Sequence, residues 1–208
     1  GAPFRTYIID RESPQAVLKG LAELTGTISM PPRWAIGYHQ SRFSYVPEAR
    51  VKEVANTFRE KKIPCDVIWF DIHYMDEFRV FTINNRDFPD PKRMNKYLHD
   101  NGFHSVYMID PGVKVDDNYF VYKTGKEQNA FVCDIYRNEF HGKVWPGACA
   151  FPDFTRPETR TWWSGLYKDF MANGIDGIWN DMNEPSVFDG PGGTMPENNI
   201  HLGGGNLP

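Results

Sequence analysis

The chain has 208 residues, 40% of them hydrophobic and 24% charged, with a net charge of −4; this is an ordinary globular balance with enough length for a substantial core. Lysines and arginines are scattered, which argues against nucleic acid or an anionic membrane as a partner, and no apolar run approaches the ~18 residues of a membrane span. Three cysteines, Cys65, Cys133 and Cys149, show neither C-x-x-C nor zinc spacing, so they read as buried free thiols and favour a reducing compartment, the cytoplasm.

The N-terminal GAPFRTYIID lacks an apolar h-region and is not expected to be a signal peptide; an opening Gly-Ala in place of Met points to a processed or engineered start. Residues 13–26, SPQAVLKGLAELTG, carry the marks of a capped helix, and ISMPPRW those of a linker. A rhythm then begins. WAIGYHQS (34–41) is strand-like, and PEARVKEVANTFREKK (47–62) sets Val51, Val54, Ala55 and Phe58 on one helical stripe. CDVIWFDI (65–72) is a near-continuous apolar run, the pattern of a strand covered on both faces. DPKRMNKYLHDNG (90–102) predicts a helix with Asp90 as N-cap, Pro91 in first position and Gly102 as stop.

HSVYMID (104–110) is the third strand. Residues 111–154 form a long connection whose aromatics argue for order, with a short hairpin expected around AFVCDI and GKVWPG. Thr155 with Glu158 suggests a capping box. Trp163, Leu166, Tyr167 and Phe170 form the stripe of the following helix, Gly174 stops it, and GIDGIWND is the fourth strand. The Gly/Pro/Asn-rich stretch 189–208 reads as loop. Strands alternating with helices predict an α/β fold with a parallel sheet, and both a doubly wound sheet and a (β/α)8 barrel fit.

Three of the four strands end in aspartate: Asp71, Asp110 and Asp181. In parallel α/β folds the C-terminal strand ends form the ligand-binding face. Trp69-x-Asp71 and Trp179-x-Asp181 repeat one pattern, and residues two apart share a strand face, so each carboxylate sits one step above an indole. The plain alternative is that such an aspartate caps the next helix, a reading that suits Asp110 better than the Trp-x-Asp pairs. Phosphate and dinucleotide loops, a G-x-S-x-G elbow and H-E-x-x-H spacing are all missing. No cofactor and no metal are therefore expected. Carboxylates beside indoles suit a polyol: glycoside cleavage needs an anion near the anomeric carbon and a second carboxyl group for the leaving oxygen.

WNDMNEPSVF (179–188) resembles the nucleophile signature of glycoside hydrolase family 31, the α-glucosidase family. VIWFDIHYMD and GKVWPGACAFPDFT are similar to two further segments of that family, in order between about Trp34 and Phe188. The resemblance implies a (β/α)8 TIM-barrel, of which about the first four βα units are expected here, and a retaining α-glycosidase acting on terminal α-linked glucose of an oligosaccharide or glucoside. It implies Asp181 as nucleophile, Glu184 as a supporting carboxylate and Asp71 as a holder of sugar hydroxyls. Trp145, Trp179, Met182 and Phe188 match pocket positions, and Phe43, Ile72 and Met108 match wall positions. His73 stands where the family often has Asp, which leaves the choice among α-glucoside, α-xyloside and transglycosylation open.

Other barrel glycosidases use Asn-Glu-Pro with the glutamate as acid/base, which would give Glu184 that role; a sugar-binding chain without turnover is a third reading. By the resemblance, the general acid/base is an aspartate on a later barrel segment. Residues 1–30 are then expected as the end of a preceding domain and linker, and 31–208 as the first half of the barrel with an insertion at 111–154. Without that acid/base the isolated chain is expected to be inactive, and because a half barrel exposes strand edges it is expected either to self-associate or to rely on further chain. Light scattering of the purified chain tests this: a stable, soluble monomer counts against it.

Overall fold

The computed structural model describes residues 4–203, and the last five residues of the expected C-terminal loop lie outside that range. The chain divides into two units that part between Ile36 and Gly37. In the first, α1 (Pro14–Thr25) starts where the Ser13 side chain accepts the Ala16 amide, with Pro14 opening the helix, and stops at Gly26, whose φ is 78°.

The second unit carries the βα rhythm. β1 is only His39–Gln40, much shorter than the expected 34–41. Two prolines precede a 3-10 turn at Arg33–Ile36, and Gly37 presses so close to Asp66 that a Cβ would stand 2.0 Å from its Oδ2. α2 (Glu48–Glu60) buries Val51 and Ala55, with Val54 and Phe58 packed partly against the same core. β2 (Val67–Phe70) is buried nearly throughout. α3 (Pro91–Asp100) follows the expected design: Asp90 accepts the Arg93 amide at 2.9 Å and Gly102, at φ 73°, ends the turn. β3 (His104–Ile109) comes next.

The connection 111–154 is more structured than its sequence suggests. β4 (Val113–Lys114), α4 (Phe120–Glu127), β5 (His141–Val144) and β6 (Gly147–Ala150) lie within it. The antiparallel order is β4-β6-β5, so the hairpin joins HGKV to GACA; AFVCDI instead makes isolated bridges, Phe131 to Pro152 and Cys133 to Glu139. α4 was hidden by Gly125, a poor helix former, which sits there because a Cβ would come within 2.5 Å of Phe131 and 2.9 Å of Trp162. α5 (Pro157–Met171) begins without the expected capping box. Buried Asp153 claims the Thr155 hydroxyl at 2.6 Å and also accepts its amide, so Arg156 becomes the N-cap. β7 (Gly177–Asn180) completes the parallel sheet. Cys65 and Cys149 are buried and Cys133 half-buried, all three as free thiols. No described helix is long and apolar enough to cross a membrane.

The sheet order is β1-β2-β3-β7, all parallel and sequential. A doubly wound sheet reverses direction at its switch point, whereas a barrel adds every strand on the same side. The order therefore selects the barrel progression, here as four strands that do not close. One sheet face carries Phe70 and Tyr107, stacked at 4.2 Å, and Tyr107 meets Phe170 of α5 edge-on at 6.0 Å. The Tyr107 hydroxyl donates to fully buried Asn95, whose amide donates to the Asn173 carbonyl, so the polar groups of this interface are paired.

At the N-terminal ends of the strands, Asp176 ties three elements together. Its Oδ2 accepts the Ser105 amide at 2.9 Å and faces His99 Nε2 at 2.7 Å, while Oδ1 lies 3.1 Å from His104 Nδ1. Burial pushes this carboxyl up, but the Ser105, His99 and His104 contacts outweigh it and hold Asp176 below its ordinary value. A depressed carboxylate stabilises the fold above its unfolded-state value and loses that contribution as pH falls through the folded-state value. Asp176→Ala should cost roughly 2–3 kcal/mol at neutral pH and much less in strong acid, measured by urea unfolding across pH; a pH-independent cost would contradict this. Gly125→Ala should lose about 1–3 kcal/mol through overpacking despite its better helix propensity, and an unchanged unfolding midpoint would refute the packing argument.

Candidate active site

The register of the parallel sheet builds the site. Trp69 pairs with Val106, Met108 with Trp179, and Ile109 with Asn180. Side chains alternate along a strand, so Trp69 and Asp71, Met108 and Asp110, and Trp179 and Asp181 all fall on the face opposite the Phe70–Tyr107 stack. The Asp181 amide donates to the Ile109 carbonyl at 3.2 Å, which extends the ladder by one step and sets Asp181 beside Asp110. Beneath the carboxyl groups, Trp69 and Trp179 meet edge-on with ring centroids 5.5 Å apart, and the Trp69 indole N–H donates to His39 Nδ1 at 3.1 Å.

The three carboxyl groups have different surroundings. Asp71 is half-buried and its Oδ1 accepts the Ile72 amide at 2.7 Å, capping a 3-10 turn at Ile72–Tyr74. Capping thus falls to a Trp-x-Asp pair rather than to Asp110. Burial pushes Asp71 above its ordinary value; the Ile72 amide pulls it back, and the nearby charge of Asp181 pushes it up again. Asp110 is 3% exposed and its Oδ1 has no hydrogen-bond partner among the described residues. Burial first, then the charges of Asp181, Asp71 and Glu184, raise it to about 7. Asp181 itself is half-buried, at the mouth of the row.

The loop after β7 is folded back on itself. Met182 has φ 56° and the Ser186 amide donates to its carbonyl, while the Asn183 side chain donates to the Asp181 carbonyl. Met182 packs on the small second core of Val132, Val144, Cys149, Phe151, Val187 and Met195, and Glu184 is exposed. The Phe188 amide donates to Lys143 and the Lys143 amide to Asp189, which fastens the loop to β5. This puts Phe188 edge-on against Trp145 at 5.3 Å. Trp145 continues into Phe43 and Phe78, each 6.1 Å away, and His73 stands between those two rings, at 5.0 Å from Phe43 and 5.4 Å from Phe78. The His73 ring Nδ1 pairs with the Ser44 hydroxyl at 2.7 Å, which fixes its orientation.

Most of the sequence-derived candidates therefore gather in two groups, a carboxyl row over two indoles and an exposed aromatic arc. Ile72 and Met108 differ: each is 1% exposed and belongs to the main core. Sequence reasoning left out Phe78 and Ser44, both on turns with φ above 60° that no periodicity marks. It also left Asp110 unassigned, although its strand-end position was the available signal. A cavity of about 630 Å³ beside α2, bordered by Arg50, Glu53 and Phe58, does not include Asp181. A smaller one of about 510 Å³ touches the arc at His73 and Phe78. Among the described residues, one group of three could hold a cation: His99, His104 and Asp176, with donor atoms within 4.8 Å of one another. It lies at the opposite strand ends from Asp181, and three donors already satisfy its carboxylate.

Comparison with known proteins identifies the family. The chain is 47% identical over 188 residues to alpha-glucosidase 2 of Bacillus thermoamyloliquefaciens, covering 90% of this chain and 24% of that protein. It is 42% identical over 200 residues to human neutral alpha-glucosidase C, covering 95% of this chain and 22% of that one. The crystal structure of a family 31 alpha-glucosidase from Bacteroides thetaiotaomicron superposes with a TM-score of 0.85 at 62% identity, over 95% of this chain and 34% of the other. The chain thus spans about a quarter of the length of the curated relatives it matches. The model of the glycosyl hydrolases family 31 TIM-barrel domain matches residues 28–205, and the chain belongs to that family.

Proposed function

We propose that these residues serve a retaining, exo-acting α-glycosidase, an α-glucosidase in the first instance, with Asp181 attacking the anomeric carbon to form a covalent glycosyl-enzyme. The observation that carries this reading is the β3–β7 register, which stands Asp181 at a C-terminal strand end, one step above Trp179 and next to two further carboxyl groups. The relatives' names, alpha-glucosidase and neutral alpha-glucosidase C, support the substrate class.

In this mechanism the sugar rests its C–H face on the indoles, and Asp71, already anchored through the Ile72 amide, accepts hydroxyl protons. Asp181 then compensates the oxocarbenium-like transition state and closes onto C1. A second carboxyl group protonates the leaving oxygen, about 5–5.5 Å from the nucleophile as retention requires, and later activates water. Exposed Glu184 supports the loop's negative field near Asp181. The aromatic arc of Phe43, His73, Phe78, Trp145 and Phe188 offers ring faces and edges to the leaving-group side. His73, locked by Ser44, is the position where an α-xylosidase or a transglycosylase would be distinguished from a glucosidase.

The test uses the complete protein. Asp181→Asn should reduce kcat by on the order of 10⁴-fold or more with sugar affinity largely kept, and a slow 2-fluoro sugar should label Asp181. Near wild-type turnover, or a label on another residue, would sink the assignment.

A further inference from the structure

Asp110 is not explained by the mechanism above, and its surroundings are unusual. Among the described residues it is one of six buried polar or charged ones, and it lies between two other carboxyl groups in the same row. The titratable groups around it are Asp71 from the end of β2, Tyr74 from the turn that follows, Cys149 from β6, and Asp181 with Glu184 from the loop after β7. None is a cation. Lys114, the ammonium near Cys149, is instead bonded to the Pro146 carbonyl at 2.7 Å. An ionised carboxylate in this place would be a buried charge without a partner beside two more of its own sign, and such a group takes up a proton instead.

We propose that Asp110 is the proton-holding member of the three-carboxyl row: a positioning residue whose neutrality lets Asp71 and Asp181 carry charge on either side of it. The inference rests on the glycosidase reading only for its catalytic consequence; the location of the proton follows from the packing. The upward displacement of Asp110 to about 7 agrees with it. Carboxyl groups brought together at adjacent strand ends disfavour one another's ionisation, and the one that holds its proton longest is the one least open to water. Asp110 is 3% exposed, while Asp71 and Asp181 are half-buried. Its proton keeps the floor from adding a third negative charge.

A raised folded-state value means that the folded protein binds a proton the unfolded chain has released. Stability is then lost as pH climbs from the ordinary carboxylate range towards neutrality. Asp110→Asn, neutral and nearly isosteric, removes that loss. Its unfolding midpoint should exceed the wild-type one at neutral pH and above, with the gap narrowing in acid. The infrared difference spectrum of wild type minus variant should show a protonated-carboxyl C=O band in mild acid that disappears above neutrality, with its isotope shift in 13C-aspartate-labelled wild type as an assignment independent of the variant's folding. A variant less stable than wild type at high pH, or no such band, would overturn the proposal.

Kinetics on the complete protein provide the catalytic arm. Asp110→Asn should keep kcat/KM within several-fold in mild acid and extend activity to higher pH, whereas Asp110→Ala should lose kcat. An unshifted pH profile would end the positioning role even with the proton where we place it. Absence of any glycoside turnover by wild type would instead remove the functional reading, and the infrared and unfolding arms would still decide the proton.

Discussion

The backbone ladder between β3 and β7 is the constraint on which the site depends. Parallel pairing of Met108 with Trp179 and of Ile109 with Asn180 leaves no freedom in which residue stands beside which at the strand ends. The period of two then decides the faces. A slip of one residue would turn Asp181 and Trp179 towards the helices and bring Ile178 and Asn180 to the cleft. The helix-facing side resists such a slip, because Tyr107 is held between Phe70 and Phe170 and its hydroxyl is spent on Asn95. Core packing on one face thereby secures chemistry on the other.

Around that ladder, local strain and cross-links do the finer placing. Ser44, Phe78 and Met182 all adopt positive φ, a conformation that costs a side-chain-bearing residue on the order of 1 kcal/mol or more, and each borders the site. Ser44 locks His73, Phe78 closes the arc, and Met182 turns the chain directly after Asp181. The antiparallel sheet β4-β6-β5 supplies the other wall by presenting Trp145 at its turn and by bonding the loop that carries Phe188. Electrostatics complete the arrangement: among the described residues the groups acting on Asp110 are carboxylates, and the row accommodates its charge by holding one proton there, at its most buried member.

Legibility from sequence followed the length and repetition of the signals. α2 and α5 repeat an apolar stripe over about two turns, and α3 announces itself by its Asp90 cap, Pro91 and Gly102 stop. β2 and β3 were readable because they are covered on both sides. The signals failed where one tertiary contact overrode them. Asp153 drew Thr155 away from its capping box, Gly125 disguised α4 in order to fit beneath Trp162 and Phe131, and Gly37 with the prolines before it shortened β1. The hairpin was foreseen in the right connection but attached to the wrong flank, since AFVCDI and HGKV both offer plausible strand partners and only the folded register chooses.

By itself, the sequence determined the βα alternation, the aspartates at the ends of β2, β3 and β7, and the family to which these residues belong, because these depend on residue type and spacing along the chain. Tertiary structure alone decided that the strands add in one direction, that Trp69 touches Trp179 across an intervening strand, that five aromatic rings from four loops form one arc, and that Asp110 rather than Asp71 is the uncapped, dry carboxyl. Those properties belong to neighbours distant in sequence, and burial and charge proximity take values only once the chain has folded.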